Sequence, residues 1–498
     1  MLTEDQLKVF TLIKEKITLN SKGVIFQLSG PGGVGKTFII KYLIDHYKPE
    51  NIQICSPTHK ACKVLRDKIQ NIKSFRLITT CHQYFNATSY YNKDGKQVWK
   101  FRKPSKKAKI IIIDEVSMID KNLYFQFKKL LDTGVNIITM GDNCQLPPVE
   151  QHWEQNKEEN QETPFYKNHK IDYILTKNIR NDDCEYNQLL NQVRQMIQNS
   201  NEEKITTNSL LNLLKKYLQI YDIQFKKIDT SIIGEDIFKE YTEMIKNNKT
   251  PCMLSYRTGK QNTVYELNQR IRSYIFPNSE EQYNSGEKII FTGFYKKQVG
   301  ISVNEDGDKK EEFITYYTSD EDVINKVSLG KVKFYDEVFC VYRLYLNSME
   351  EYKCMFEDEI KFDSKLFVTT LHDSETRRFN LYSKKIRDHI KFKVKQEKDN
   401  CSVSSECKQL KDECSHNKKI NELWEEYNMN YNIIKCPIDY SYALSIHKSQ
   451  GSSFDEVFVC LSDFLWLLYS SEEKTQQILF LKLLYVALSR SRNTAVIF

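Results

Sequence analysis

The stretch Gly30-Pro31-Gly32-Gly33-Val34-Gly35-Lys36-Thr37 decides the fold. It follows a short apolar run, Val24–Ser29, and opens a segment, Lys36–Tyr47, whose apolar residues recur at helical spacing. The string matches G-x-x-x-x-G-K-[ST]. Its glycines let backbone N–H groups turn inward around phosphate oxygens, and the following helix N-terminus adds partial positive charge. Lys36 then neutralises the β- and γ-phosphates while Thr37 offers a hydroxyl to Mg²⁺, so residues 30–37 read as an ATP-binding loop. A merely structural turn would rarely fall at such a strand-to-helix junction.

Working outward, Ile52–Cys55 is a second short apolar run, followed by a helical stretch from His59 to Ile69. Lys109–Ile113 and Val135–Met140 repeat the pattern around a helix at Lys121–Leu131. Continuous apolar runs separated by amphipathic helices predict a parallel sheet covered on both faces, an α/β architecture. The strand at Ile110–Ile113 delivers Asp114-Glu115 to its C-terminal end. Beside a phosphate loop, Asp114 is placed to hold Mg²⁺ through water and Glu115 to polarise an attacking water. The same alternation resumes at Pro251–Ser255 and again from Ser441 to Phe498. Between about Lys288 and Tyr440 the character changes to strand-like runs, which predicts a β-rich insertion.

The 498 residues suffice for two to four packed units. Hydrophobic residues make up 40% and charged residues 28%, with 30 Tyr and 27 Phe against 16 Gly and 10 Pro, which argues against a long disordered tail. Lys and Arg number 73 against 66 Asp and Glu, a net charge of +7 that fits a nucleic-acid partner held in a local groove. No basic start and apolar run marks a signal peptide, and Val457–Tyr469 is too short to span a bilayer. The expectation is a cytosolic or nuclear protein with no membrane partner, its 13 cysteines reduced.

Several segments resemble the superfamily-1 helicases, particularly the Pif-, RecD- and Dda-like group, over residues 1–200, about 250–295 and 437–498. Leu2-Thr3-Glu4-Asp5-Gln6 is similar to the opening motif, whose glutamine reads adenine, so Gln6 takes that role. Ser56-Pro57-Thr58-His59-Lys60-Ala61 and Thr79-Thr80-Cys81-His82-Gln83-Tyr84-Phe85 resemble DNA-contact motifs, implying Thr58, His59, Lys60, Thr80 and His82. For Tyr84 and Phe85 a place in the core is an equal alternative. Asp114-Glu115-Val116-Ser117-Met118-Ile119 and Gly141-Asp142-Asn143-Cys144-Gln145-Leu146-Pro147-Pro148-Val149 carry the strongest resemblance and imply Gln145 as γ-phosphate sensor. Ile174–Asn181 and Leu483–Arg492 resemble segments that supply arginines to the transferred phosphoryl group, implying Arg180 and Arg490. Ser445–Ser453 matches H-K-S-Q-G, with Ser445 where the family commonly has Thr. It implies His447, Lys448 and Ser449 at DNA, and Gln450 and Gly451 at the nucleotide. Leu254–Arg257, with Asn262 and Asn268, loosely resembles the start of the second motor domain.

The resemblance implies two RecA-like parallel-sheet motor domains with a small barrel-like β insertion in the second. The boundaries read as 1–200 for the first, 201–250 for a helical connector, 251–287 with 437–498 for the second, and 288–436 for the insertion. It also implies ATP and Mg²⁺, 5′→3′ travel on single-stranded DNA, a forked duplex as substrate, replication or repair proteins as partners, and a monomer. A superfamily-1 RNA helicase and an ATP-gated nucleic-acid-binding scaffold are the alternatives. In Ile390-Lys391-Phe392-Lys393-Val394-Lys395 apolar and basic residues alternate at strand period, which puts three lysines on one face of a strand; that face reads as an exposed edge guarded against aggregation, with a DNA-contacting face as the alternative. Cys401, Cys407, Cys414, His416 and Cys436 lack a CxxC or HxxxH knuckle and read as scattered thiols rather than a zinc site.

Overall fold

The computed structural model describes residues 2–69, 77–91, 97–104, 106–148, 163–176, 185–200, 206–221, 223, 233–258, 263–303, 308–357, 360–363, 366–403, 415–469 and 474–498. The chain forms two compact units. One comprises Met1–Ala87, Phe101–Ile275 and Tyr442–Phe498; the other comprises Thr88–Lys100 and Phe276–Ser441.

The first unit holds two sheets whose strands all run parallel. In the first sheet the order is Ile78–Thr80, Ile52–Ser56, Ile110–Ile113, Asn136–Gly141, Ile25–Ser29 and Tyr173–Ile174. The four isoleucines of Ile110–Ile113 show why its strands are apolar without alternation. Ile110 and Ile112 enter one core with Leu28, Ile40 and Leu43, while Ile111 and Ile113 enter the opposite core with Phe85, Leu123 and Phe127. Side chains alternate faces along a strand, and here both faces are covered. The second sheet runs Ala443–Ser445, Pro251–Ser255, Phe454–Val459, Ser491–Ile497 and Gln219–Ile220. Because the strands of each sheet are parallel, their C-terminal ends, where ligands gather in open α/β sheets, share one edge.

The second unit contains an antiparallel sheet ordered Val368–Leu371, Glu337–Leu346, Glu321–Phe334, Lys288–Phe291 and Ile438–Tyr440. A second antiparallel sheet runs Lys309–Tyr316, Tyr295–Val303 and Ile360–Phe362. The hairpin Thr88–Tyr91/Gln97–Lys100 groups with this unit.

One strand expectation is corrected. Ile390–Lys395 lies inside a 28-residue helix, Thr376–Val403, which packs on the helix Ser415–Ile434. Ile390 and Val394, four residues apart, share a face and join Phe379, Ile420, Trp424 and Tyr427 in one core. An apolar pair at i and i+4 satisfies both a period of 2 and a period of 3.6, so six residues could not separate them. The insertion is therefore a β unit carrying a helical hairpin.

Candidate active site

The phosphate loop leaves the strand Ile25–Ser29 and enters the helix Lys36–Tyr47. Its geometry needs glycine at named places. Gly33 and Gly35 have φ of 89° and 79°, in the left-handed region that a Cβ disfavours. A Cβ on Gly30 would lie 2.8 Å from the Leu175 carbonyl oxygen. Within the loop Val34 is buried, while Pro31, Gly32 and Thr37 remain partly or fully exposed. Lys36 Nζ donates to the carbonyls of Gly30 at 2.7 Å and Pro31 at 2.9 Å. Burial lowers its pKa, opposed by the charges of Asp142, Glu115 and Asp114. Gln6 sits against the same loop: its Nε2 donates to Val34 O at 3.1 Å, and its Oε1 accepts from Thr3 N at 3.0 Å in a capping box. The helix cap thereby fixes the glutamine that the resemblance assigns to adenine.

Two further strand ends bring acids to Lys36. Asp114 follows Ile110–Ile113, and its pKa is raised by burial and by Glu115, with Lys36 pulling the other way. Glu115 has φ 53° and ψ 45°, a left-handed conformation rare outside glycine and aspartate-like residues, so the turn holds it in a strained backbone. Gln145 is buried, and its Oε1 accepts from Ser117 Oγ at 3.3 Å, joining the Gly141–Pro148 segment to the Asp114–Ile119 turn. Gly141 allows that approach, since a Cβ there would meet Val116 Cγ1 and Tyr166 Oη, each at 2.8 Å.

The second sheet contributes from the same unit. Gln450 Nε2 donates to Leu146 O at 3.3 Å, one residue beyond Gln145, and Gly451 follows with φ 77°. Arg490 is 6% exposed, and its guanidinium donates to Val486 O, Ser452 O and Ser489 Oγ at 3.2, 3.3 and 2.9 Å. Arg180 lies outside the described residues.

Three residues not singled out by the sequence reading complete the link. Asp142, at the end of Asn136–Gly141, is fully buried; Arg194 Nη1 and Tyr485 Oη each donate to its carboxylate at 2.6 Å. Arg194 lies in the helix Glu185–Gln198, and Tyr485 in the helix Lys474–Leu488 that precedes Arg490. Tyr186 Oη donates to Leu488 O at 2.6 Å, a second tie between those helices. Asp463, also missed, organises the end of Pro251–Ser255. It accepts from Ser255 Oγ at 2.6 Å, Tyr256 N at 2.9 Å, Arg257 N at 2.8 Å and Thr263 Oγ1 at 2.8 Å, and from Arg257 Nε.

The candidate DNA residues separate into two kinds. Thr58 and Thr80 are helix N-caps, accepting from Ala61 N and Gln83 N, each at 3.1 Å; Thr80 is buried. Ser449 is buried and donates to Ile446 O at 2.8 Å. Capping occupies only the acceptor side of the Thr58 and Thr80 hydroxyls, and Thr58 stays partly exposed, whereas Ser449 spends its proton on the Ile446 carbonyl. His59, Lys60, His82, His447 and Lys448 stay partly exposed. Burial lowers the pKa of His82 and pushes His59 and His447 down to about 4, so the imidazoles are neutral near pH 7 and positive charge comes from the lysines. Tyr84 and Phe85 belong to the core, Phe85 against Phe127 at 4.9 Å between ring centroids.

Cys407 and Cys414 lie outside the described residues. Among the described residues no group of three or more His, Cys, Asp and Glu is placed to hold a metal; His416 Nδ1 instead pairs with Glu397 at 2.6 Å. No helix among the described residues is long and apolar enough to cross a membrane.

Two family models match the chain: an AAA domain over residues 14–151 and a UvrD-like helicase C-terminal domain over residues 440–498. An uncharacterized protein of Acanthamoeba polyphaga mimivirus is 24% identical over 497 residues, covering 91% of each chain. The ATP-dependent DNA helicase dda of Enterobacteria phage T4 is 29% identical over 153 residues, 30% of this chain and 33% of its own. The RecBCD enzyme subunit RecD of Buchnera aphidicola subsp. Schizaphis graminum is 26% identical over 310 residues, 56% of this chain and 42% of its own. Among solved structures, Bacteroides Pif1 bound to ssDNA is 15% identical with a TM-score of 0.43, over 100% of this chain and 92% of that one.

Proposed function

The chain belongs to superfamily 1 of the helicases, in the group of Pif1, RecD and Dda, and from that premise we propose an ATP-driven motor that travels 5′→3′ on single-stranded DNA and opens duplex in replication, repair or recombination. The carrying observation is Asp142, a buried carboxylate that interacts with Lys36 of the phosphate loop and accepts a hydrogen bond from Tyr485 in the helix leading to Arg490. It joins the nucleotide site of one sheet to an element of the other.

In this reading Lys36 leaves the Gly30 and Pro31 carbonyls for the β- and γ-phosphates, and Gln6 meets the adenine edge. The donor set fits a hard divalent cation: two adjacent carboxylates, one held protonated to higher pH by burial and its neighbour, beside a threonine hydroxyl. Thr37 and Asp114 are the residues to hold Mg²⁺, which when bound neutralises phosphate charge. Glu115 orients and deprotonates the attacking water, Gln145 senses the γ-phosphate, and Arg490 and Arg180 stabilise charge on the transferred oxygens. Binding that favours one arrangement of the lobes shifts their equilibrium, and hydrolysis releases it. Lys60 and Lys448 are the cationic candidates for DNA phosphates, with His59, His82 and His447 as neutral contacts.

Strand displacement on duplexes with a 5′ or a 3′ overhang, built on DNA and RNA tracks, tests the proposal. It expects displacement from the 5′ DNA overhang alone, abolished by Lys36→Ala. Displacement only from RNA tracks, or equal displacement by Lys36→Ala, overturns it.

A further inference from the structure

The helix Thr376–Val403 contains nine Lys and Arg against three Asp and Glu, so it alone accounts for six of the chain's net charge of +7. The excess is arranged, not scattered. Arg377, Lys384, Lys391 and Lys395 are all exposed and stand seven, seven and four residues apart. Seven residues is nearly two turns of a helix, so the four fall on one line spanning roughly 27 Å. The opposite face, with Phe379, Ile390 and Val394, is buried against Ile420, Trp424 and Tyr427 of the helix Ser415–Ile434. That partner helix fixes which way the basic line faces.

Of the three acidic residues, Asp399 stands exposed one turn beyond Lys395, at the end of the line, and the other two leave the line largely intact. Glu397 is turned toward the hairpin partner, pairing with His416 at 2.6 Å and Lys419 at 3.9 Å. Asp388 offsets Lys391 through a long, exposed contact of 3.9 Å, which is weak in water. Arg378 is already committed to Glu337 and Glu375, and Arg387 lies over the Tyr427 ring, so neither belongs to the line.

We propose that this line is a docking ridge for the phosphate backbone of duplex DNA, the double-stranded arm of a fork. The inference rests on the DNA-motor reading above and adds a second contact surface in the insertion. Duplex fits better than single strand for two reasons. It carries one charge per about 1.7 Å of axis, the densest linear anion available to a straight row of cations. Single-strand sites also pair a basic groove with several aromatic platforms, whereas the outward side of this helix is a convex ridge with one exposed aromatic, Phe392 at 58% exposure.

The test replaces the line in the full chain, Arg377→Gln/Lys384→Gln/Lys391→Gln/Lys395→Gln, and measures affinity against salt for a single-stranded oligonucleotide and for a fork with a duplex arm. Neutralising four phosphate contacts lowers the salt slope on the fork by about 3 to 4 and weakens fork binding at least ~10-fold near physiological salt. Binding to the single strand and single-strand-stimulated ATPase stay within about twofold, since the substituted residues lie outside the nucleotide site. An unchanged fork slope overturns the ridge, as does an equal loss on both substrates. So does retained fork binding with lost binding to phosphatidylserine vesicles, which would make the surface a membrane contact. A wild-type chain without DNA-stimulated ATPase would instead defeat the motor reading, leaving the fork slopes to speak for the ridge alone.

Discussion

Arg194 and Asp142 form a buried ion pair, Nη1 to Oδ1 at 2.6 Å, with side chains 8% and 0% exposed. Tyr485 shares the carboxylate, and Arg194 Nη2 also reaches Asn143 Oδ1 at 3.1 Å, which in turn accepts from Ser29 Oγ at 2.9 Å. Ser29 is the last residue before the phosphate loop. A chain of hydrogen bonds thus runs from the start of that loop to the helix that ends at Leu488. Such a chain acts cooperatively when every member is satisfied and is costly when one is removed.

Removing one partner of a buried pair leaves the other charge uncompensated. Arg194→Met is expected to destabilise the fold by about 3–5 kcal/mol, read in a thermal or urea melt. Tyr485→Phe removes one hydrogen bond to a charged acceptor, about 1.5–3 kcal/mol, and leaves the ion pair in place. It is expected to fold and hydrolyse ATP while opening fewer base pairs per ATP consumed. An unchanged ratio would make the tyrosine a packing residue only.

The raised pKa of Asp114 has a consequence for stability. A carboxyl that binds its proton more tightly folded than unfolded favours the fold at low pH, and that contribution is lost as pH rises past the ordinary carboxylate range toward the folded value. In nucleotide-free protein, Asp114→Asn is therefore expected to melt higher than wild type at pH 8 and to match it near pH 4, while losing ATPase. A variant less stable at pH 8 would contradict the burial argument.

Gln145 touches the Asp114–Ile119 turn through Ser117 and is followed by the carbonyl that Gln450 reaches. Gln145→Ala should lower stimulation of ATPase by DNA ~10-fold, within the usual range of site-to-site coupling, with basal hydrolysis much less affected. Steady-state ATPase with and without oligonucleotide separates the two.

Burial pushes the Asp463 pKa up, but hydrogen bonds from Arg257 N–H, Ser255 and Thr263, with the Arg257 charge, outweigh it and hold the carboxyl below its usual value. Its stabilising effect is present above the unfolded pKa and is lost as pH falls through the folded one. Asp463→Ala is expected to cost about 3–5 kcal/mol at pH 7, because the polar groups it serves are left unpaired. The difference from wild type should narrow in acid, which a melt series across pH measures.

What was legible in the sequence was local. The phosphate loop, Asp114-Glu115 and the Gly141–Pro148 segment each sit at the end of an apolar strand, and a strand end is visible in a dozen residues. The Asp142 cluster was not: Arg194 lies 52 residues away and Tyr485 lies 343 away, and only the paired sheets bring them together. Thr80 reads as a polar residue at a strand-to-helix junction, which describes a helix cap as well as a phosphate contact. Ile390–Lys395 is too short for its period to be unique, whereas the spacing from Phe379 through Ile390 to Val394 is helical.

The most direct test of the central claim, that nucleotide hydrolysis at Lys36 is coupled to DNA, is the ATPase rate of the full chain with and without a single-stranded oligonucleotide. The account predicts stimulation of at least ~10-fold, absent in Lys36→Ala. A rate indifferent to DNA in the wild-type chain would contradict it.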